Sequence, residues 1–215
     1  MLRTRNLLLG SVACLLVPST GGAQDAIEAR MLKQPAYTVF EDGVTPRARV
    51  RANYYVGTES DQWATSPGQV SIEHGLPVWK DEYTTLFEKK PAGMRWRLGS
   101  NYWTNLFSAF PLGVAGKTIS PGYHYLVLER SKTGGWNLAV LEPAEMTRRQ
   151  LDPWHVNRKE SGEGITIPLE SKPSEAIQET LEITLKLNDD NPKDITVHNR
   201  FGGYHLWTPP LSVEF

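Results

Sequence analysis

An alternation of apolar and polar residues with a period of two recurs from residue 48 to the end of the chain. Such alternation is typical of β-strands that bury one face, because successive side chains point to opposite sides of a sheet. Two further segments, 123–128 and 136–141, are apolar on both faces or nearly so, which predicts central strands covered on both sides. The Gly134-Gly135 pair between them predicts a tight hairpin. The alternating segments are 48–56, 70–72, 165–169 and 181–187.

Helical patterns are scarce in the same part of the chain. Pro143 to Gln150 predicts a short helix, because Pro143 fits a first-turn position and Asp152-Pro153 ends the pattern. Eight or more short strands without helices between them exclude a parallel α/β sheet. They predict an all-β fold, an antiparallel β-sandwich with one short helix. We expect a single domain over residues 46–215, preceded by an arm over residues 24–45 to which the sequence assigns no role.

The amino terminus has the pattern of an export signal. Two arginines precede an apolar run, Leu7 to Val17, which is too short to span a bilayer. Small residues at Gly21 and Ala23 fit a cleavage site before Gln24. We therefore predict a signal peptide over residues 1–23 and an exported protein, either periplasmic or extracellular.

Cysteine content and charge exclude several classes of site and partner. Cys14 is the single cysteine, so cleavage would leave a mature chain without a disulfide or a thiolate metal site. Lipid attachment at Cys14 is an alternative, but the apolar run continues beyond this residue. The formal net charge is −1, and the predicted signal peptide contains basic but no acidic residues. The slightly acidic remainder argues against a nucleic-acid partner, and no second apolar stretch is long enough to span a membrane. No pattern indicates an oligomeric state.

Several short motifs follow one another from the first strand onward. Pro46-Arg47-Ala48 stands at that strand, Trp96-Arg97-Leu98-Gly99-Ser100-Asn101 follows a Gly-x-Pro turn, and Pro121-Gly122-Tyr123 enters the strand that precedes Trp136. In this order the motifs resemble a bacterial exported family known as domain of unknown function 2911, over about residues 46–215. The resemblance implies a soluble or periplasmic β-rich domain of unestablished function, and it assigns no catalytic role.

The chain departs from this family pattern at two positions. Gly75-Leu76-Pro77 stands where the family usually has a Ser-Arg-Pro turn. Tyr102-Trp103 stands where the family often has a glutamate just after the asparagine. If that arginine or that glutamate carried an activity, this member would lack it.

A cluster of aromatic and cationic residues over 95–103 is the candidate binding site. Arg97 and Asn101 would present hydrogen-bond donors beside flat rings, a combination that grips a sugar or a carboxylate. The alternative is structural: the tryptophans pack in the core, and Arg97 pairs with an internal carboxylate. Arg47 belongs to a row of three arginines at spacing two, which is also typical of a solvated strand face. The candidate ligand-binding residues are Arg97, Asn101, Trp96, Trp103, Tyr123 and Arg47, with Trp79 and Trp154 as further aromatic neighbours.

Neither metal binding nor nucleophilic catalysis has a sequence signature. The five histidines lack metal-ligand spacing, and the chain has no G-x-S-x-G elbow. We therefore predict no metal and no cofactor, and a non-catalytic protein that binds a small molecule, a glycan or an envelope component. One alternative is a periplasmic hydrolase with an acid/histidine site assembled from distant residues, and another is a purely structural envelope domain. The hydrolase candidates are Glu73, His74, His124, Asp152 and His155.

Overall fold

A computed structural model of the chain describes residues 46–55, 67–153, 156 and 164–215. The predicted signal peptide and the arm over residues 24–45 lie outside the described residues. The described residues form an antiparallel β-structure, so the predicted all-β fold class is confirmed. Eleven strands lie in this part of the chain: β1 (Arg47–Tyr55), β2 (Pro67–Gly75), β3 (Arg95–Arg97), β4 (Thr104–Ser108), β5 (Leu112–Val114), β6 (Lys117–Ile119), β7 (Gly122–Arg130), β8 (Trp136–Leu141), β9 (Ile165–Leu187), β10 (Asp194–Trp207) and β11 (Leu211–Val213).

Two short helices accompany these strands in the described part. Helix α2 (Pro143–Arg148) begins with a proline in its first turn and is the predicted short helix. Helix α1 (Glu82–Lys89) is an addition to the predicted elements. Tyr83 and Phe87 are four residues apart and therefore share one face of α1, and Phe87 is buried. Neither helix has the length and apolar composition needed to cross a bilayer.

The sheet is folded over one main hydrophobic core. Its strand order is β1-β2-β4-β7-β8-β9-β10-β11-β5-β6, and β3 pairs with β7. The 23-residue strand β9 links two layers, because its first residues pair with β8 and its remainder pairs with β10. Buried side chains from both layers belong to one cluster, which includes Ile72 and Leu126 from one layer and Ile183 and Val197 from the other. This arrangement is the sandwich predicted from the alternating pattern.

Strands β7 and β8 are buried on both faces, as their sequences predict. Leu126 and Leu138 face the main core, whereas Val127 and Ala139 face a second, smaller cluster, and all four side chains are almost fully buried. Helix α2 covers this second cluster with Met146. The predicted hairpin between the two strands is present, since Ser131 N donates to the carbonyl oxygen of Gly135 at 2.9 Å.

Candidate functional site

A cavity of about 350 Å³ lies between the two layers of the sandwich. Its walls come from α1, from β3 and the turn that follows it, from β7, and from the facing strands β9 and β10. The volume is within the range of pockets that hold small organic molecules, about 300–1,000 Å³. We call this space the interlayer cavity.

Aromatic rings from three elements form a rigid group at the interlayer cavity. The Phe87 ring centroid is 4.4 Å from that of Trp96 and 4.8 Å from that of Tyr204, with which it is nearly parallel. Trp79 packs edge-on against Phe201 at 5.0 Å. Offset-stacked and edge-to-face rings are mutually favourable arrangements. Because each ring is held by its neighbours, the wall keeps its shape and presents flat apolar surface to the cavity.

Gly202 allows strand β10 to approach Trp79 closely. A Cβ atom at this position would lie 2.4 Å from the Trp79 ring, and the backbone φ is +58°. Both the contact and the left-handed backbone favour glycine here. The pairing of β10 with β9 shifts register on both sides of Gly202, so the ribbon of the two strands bends at this point. The bend places Asn199 and Tyr204, which flank it, on the same cavity.

Asn199 is a polar residue at an inward position of β10. Ile195 and Val197 precede it at spacing two and are both buried in the main core. The Asn199 side chain is 4% exposed and lines the interlayer cavity. Among the described residues, neither its amide nitrogen nor its amide oxygen has a hydrogen-bond partner. A buried polar group left without a partner costs about 1–3 kcal/mol, so this amide favours a partner inside the cavity.

Two cationic residues line the same cavity. Lys90 Nζ lies 4.6 Å from the centroid of the Trp96 ring and 3.7 Å from the sulfur of Met94. No carboxylate of the described residues forms an ion pair with it within 4.0 Å, and burial lowers the pKa of Lys90. The Arg97 Nε donates to the carbonyl oxygen of Gly99 at 3.2 Å. Burial lowers the pKa of Arg97, and the nearby charges of Tyr83 and Asp152 act in the opposite direction.

The candidate residues of the 95–103 cluster divide between two faces of the sheet. Trp96 and Arg97 line the interlayer cavity, and Asn101 lies in an exposed turn with a backbone φ of 64°. Trp103 is buried in the second cluster, where its ring stacks on Tyr125 at 4.6 Å with an angle of 4° between the planes. The structure therefore brings Trp96 and Arg97 together and places Trp103 on the opposite side of β7.

Arg47 and Tyr123 lie on the outer face of the sheet. Arg47 Nε is 2.8 Å from Glu73 Oε1, and its Nη2 donates to the carbonyl oxygen of Trp103 at 2.8 Å. Arg49 pairs with the other oxygen of Glu73. Hydrogen bonds from Arg49 and then Arg47 lower the pKa of Glu73. Tyr123 is 65% exposed and borders a shallow depression of about 60 Å³ together with Arg49 and Glu73.

One family model matches most of the chain. The model described as Protein of unknown function (DUF2911) matches residues 58–199. The chain belongs to the DUF2911 family. The match includes Lys90, Arg97 and Asn199, the polar and cationic residues of the interlayer cavity. Neither a curated protein nor a solved structure matches this DUF2911 chain.

Of the residues proposed for a hydrolase in this DUF2911 chain, the four that the structure describes are not among the lining residues of the interlayer cavity: Glu73, His74, His124 and Asp152. His74 is buried with its Nδ1 3.0 Å from the carbonyl oxygen of Gly75. His124 Nε2 donates to the carbonyl oxygen of Ser120 at 2.7 Å. Burial lowers the pKa of Arg97, and the charge of Asp152 opposes this shift. Glu73 forms ion pairs with Arg47 and Arg49. His155 and Trp154 lie outside the described residues. In the part that the structure describes, no group of three or more His, Cys, Asp or Glu side chains has the arrangement of a metal site.

Two histidines that are seven residues apart meet on β10. His198 Nδ1 lies 3.0 Å from His205 Nε2, and Thr196 Oγ1 lies 2.9 Å from His198 Nε2. Burial, followed by the charges of Lys186 and other neighbours, lowers the pKa of His198 to about 4. The imidazole is therefore neutral at pH 7, and the pair is satisfied by mutual hydrogen bonding.

Sequence reasoning missed Asn199 and Lys90 as candidate site residues of this DUF2911 domain. A signal for Asn199 is present in the sequence, because it interrupts the inward row Ile195, Val197 and Phe201 with an amide. A polar residue at an apolar phase of a strand breaks the local pattern, and such breaks concentrate at functional sites. Lys90 has no comparable signal, since its burial depends on helix α1, which the pattern did not predict.

Proposed function

We propose that this protein binds a small organic molecule in the interlayer cavity. The observation that carries the proposal is the buried amide of Asn199: the residue lines the cavity, and its amide has no partner among the described residues. Ligand pockets are typically apolar and aromatic, with a few polar groups that fix the orientation of the ligand. The cavity has this composition, because the rings of Phe87, Trp96 and Tyr204 stand beside Asn199, Arg97 and Lys90.

The lining supports binding more than hydrolysis. A general base must lie within hydrogen-bond reach of the proton that it removes. The described lining residues include no histidine and no carboxylate, and their hydroxyl groups belong to Tyr83, Ser100 and Tyr204. An acid/histidine pair would therefore have to enter the cavity from elsewhere, whereas the groups already present suffice to hold a ligand.

We further propose that binding takes place outside the cytoplasm. The apolar run from Leu7 to Val17, preceded by two arginines, supports export, and the small residues before Gln24 support cleavage there. Amino-terminal sequencing of the protein recovered after export should begin at Gln24. A chain that keeps Met1 and remains in the cytoplasm would overturn this part of the proposal.

A fragment screen with two matched variants tests the binding site. The full chain, purified after export, is screened by ligand-observed NMR against a library of small acids, sugars, amides and heterocycles. Fragments that bind should be lost in Asn199→Leu and kept in Asn105→Leu, which makes the same chemical change in the shallow outer depression. The reverse result would assign binding to the outer face beside Tyr123. A library without a single binder to the wild-type protein would also overturn the proposal.

A further inference from the structure

The charge of the interlayer cavity is positive and unbalanced among the residues that line it. Lys90 and Arg97 are both among the lining residues, and no described lining residue is an aspartate or a glutamate. Ligand pockets are low-dielectric environments in which an unpaired charge is more costly than in water. A ligand that brings a negative charge into this cavity would therefore gain an interaction that a neutral ligand of the same shape would not.

Among the described residues, no carboxylate forms an ion pair with Lys90. Two carboxylates outside the lining influence lining residues electrostatically. Burial lowers the pKa of Arg97 and Asp152 opposes this shift, whereas burial raises the pKa of Tyr204 and Glu88 adds to that shift. Neither forms an ion pair with Lys90, whose ammonium group contacts the Met94 sulfur and the face of the Trp96 ring. The aromatic face provides part of the stabilisation that an anion would provide. Its ammonium hydrogens nevertheless remain available for a charge-assisted bond, which is stronger than a neutral one.

The remaining surface of the cavity determines the body of the ligand. Leu128, Leu181 and Leu206 face the cavity from three different strands, and the nearly parallel rings of Phe87 and Tyr204 are among its lining residues. A polar ligand would lose its hydrogen bonds to water in such a lining and would gain few from the protein in return. The lining therefore disfavours sugars, which have many hydroxyl groups. It favours an aromatic or branched aliphatic body with few polar atoms.

We propose that the ligand is a small apolar monocarboxylic acid whose carboxylate pairs with Lys90 and whose body packs against the aromatic wall. This inference rests on the proposed function, because it names the class of molecule that the interlayer cavity takes. It assigns Lys90 the recognition of the charge and the amide of Asn199 a hydrogen bond to the same ligand. Both residues lie within the range that the family model matches.

Three probes of nearly equal shape test the charge preference. They are 3-phenylpropionate, 3-phenylpropionamide and 3-phenylpropylamine, which carry a negative, a neutral and a positive end group. Each is titrated by NMR or calorimetry into the full chain purified after export. A charge-assisted pair predicts that the acid binds about tenfold or more tightly than the amide, with the amine the weakest. An amide or amine that binds as tightly as the acid would overturn the inference.

Two adjacent lysines supply the matched variants. Lys90→Gln should reduce the affinity for the acid about tenfold, to that of the amide, and should leave the affinity for the amide unchanged. Lys89→Gln removes the same charge from an exposed position beside it and should change neither affinity. Equal losses in both variants would reveal a general effect of charge and would refute the pairing with Lys90. If none of the three probes binds while other fragments bind in an Asn199-dependent manner, the carboxylate inference fails and the proposed function stands.

Discussion

Replacing Asn199 by leucine tests whether its amide serves the fold or a ligand. The two side chains are similar in size, so the substitution removes polarity with little change in volume. In the described structure the amide has no hydrogen-bond partner, and burial of such a group costs about 1–3 kcal/mol. We therefore expect Asn199→Leu to raise the free energy of unfolding by about 1–3 kcal/mol while ligand binding is lost.

Urea unfolding and calorimetry measure this effect. For a domain of this size, 1 kcal/mol corresponds to about 2–4 °C in the melting temperature, so the expected increase is about 2–12 °C. The urea midpoint should rise with an unchanged slope, because the surface exposed on unfolding stays the same. Both measurements are made without added ligand, since a ligand that binds the native state would stabilise the wild type alone.

Thr208→Val is the control for the opposite situation. Thr208 is fully buried, and its Oγ1 accepts a hydrogen bond from Val197 N at 3.0 Å. Removal of this hydroxyl leaves a buried N–H without its partner and should lower the free energy of unfolding by about 1–3 kcal/mol. If Asn199→Leu also destabilises the protein by more than about 1 kcal/mol, the amide has a structural role, and the reasoning that leads from it to a ligand is refuted.

Three further predictions follow from individual contacts. Gly202→Ala should cost about 1–3 kcal/mol more than Gly134→Ala in urea unfolding, because both have positive φ but only the Cβ at residue 202 meets the Trp79 ring. Equal losses would show that the contact with Trp79 is unimportant. Glu73 has a lowered pKa, so its ion pairs contribute stability above its ordinary pKa of 4.5 that is lost as the pH falls through the lower folded-state value. Glu73→Gln should therefore have a smaller acid dependence of stability than the wild type, and an identical pH profile would contradict the pairing. Leu181→Phe extends into the interlayer cavity, so it should change the free energy of unfolding by no more than about 1 kcal/mol and should block binding of 3-phenylpropionate. Leu138→Phe lies in the core away from the cavity and should lower the free energy of unfolding by about 1–3 kcal/mol. Equal destabilisation by these two variants would mean that the cavity cannot accept the ring.

The strands with a buried face could be predicted from the sequence, because burial leaves a pattern. The segments 125–128 of β7 and 138–141 of β8 are apolar throughout, and both of their faces are covered. The middle of β9, from residue 170 to 177, has no such pattern, since its side chains are largely exposed and its backbone is held by pairing with β10. Helix α1 was missed for a similar reason. The apolar face of α1 includes Tyr83 and Phe87, which are four residues apart. A single such spacing is too short to distinguish a helix from an isolated pair of aromatic residues.

The candidate site could be predicted only in part. Trp96 and Arg97 stand in a local motif, so proximity in sequence identified them together. Trp103 is only six residues beyond Arg97, but the intervening turn at Gly99 leads it to the opposite face of the sheet. Lys90 and Asn199 are more than 100 residues apart, and their meeting at one cavity depends on the docking of α1 against the bent ribbon of β9 and β10. Single-strand periodicity contains no information about that docking.

The size of the interlayer cavity argues against a purely structural role for the domain. A fully enclosed and dry space of about 350 Å³ would cost about 8 kcal/mol at ~24 cal/mol per Å³, and because the interlayer cavity is partly open this figure is an upper bound. That cost is comparable to the whole net stability of a typical domain, about 5–15 kcal/mol. A structural domain would reduce it with larger side chains, yet Gly99 and Ser100 border the cavity with two of the smallest residues. The rigid rings of Phe87, Trp96 and Tyr204 keep the walls apart, while Asn199 and Lys90 place polar groups inside at a further cost in stability. In a purely structural core, a cavity and buried polar groups would each lower stability without a benefit. Together they fit a ligand site whose shape exists before the ligand binds.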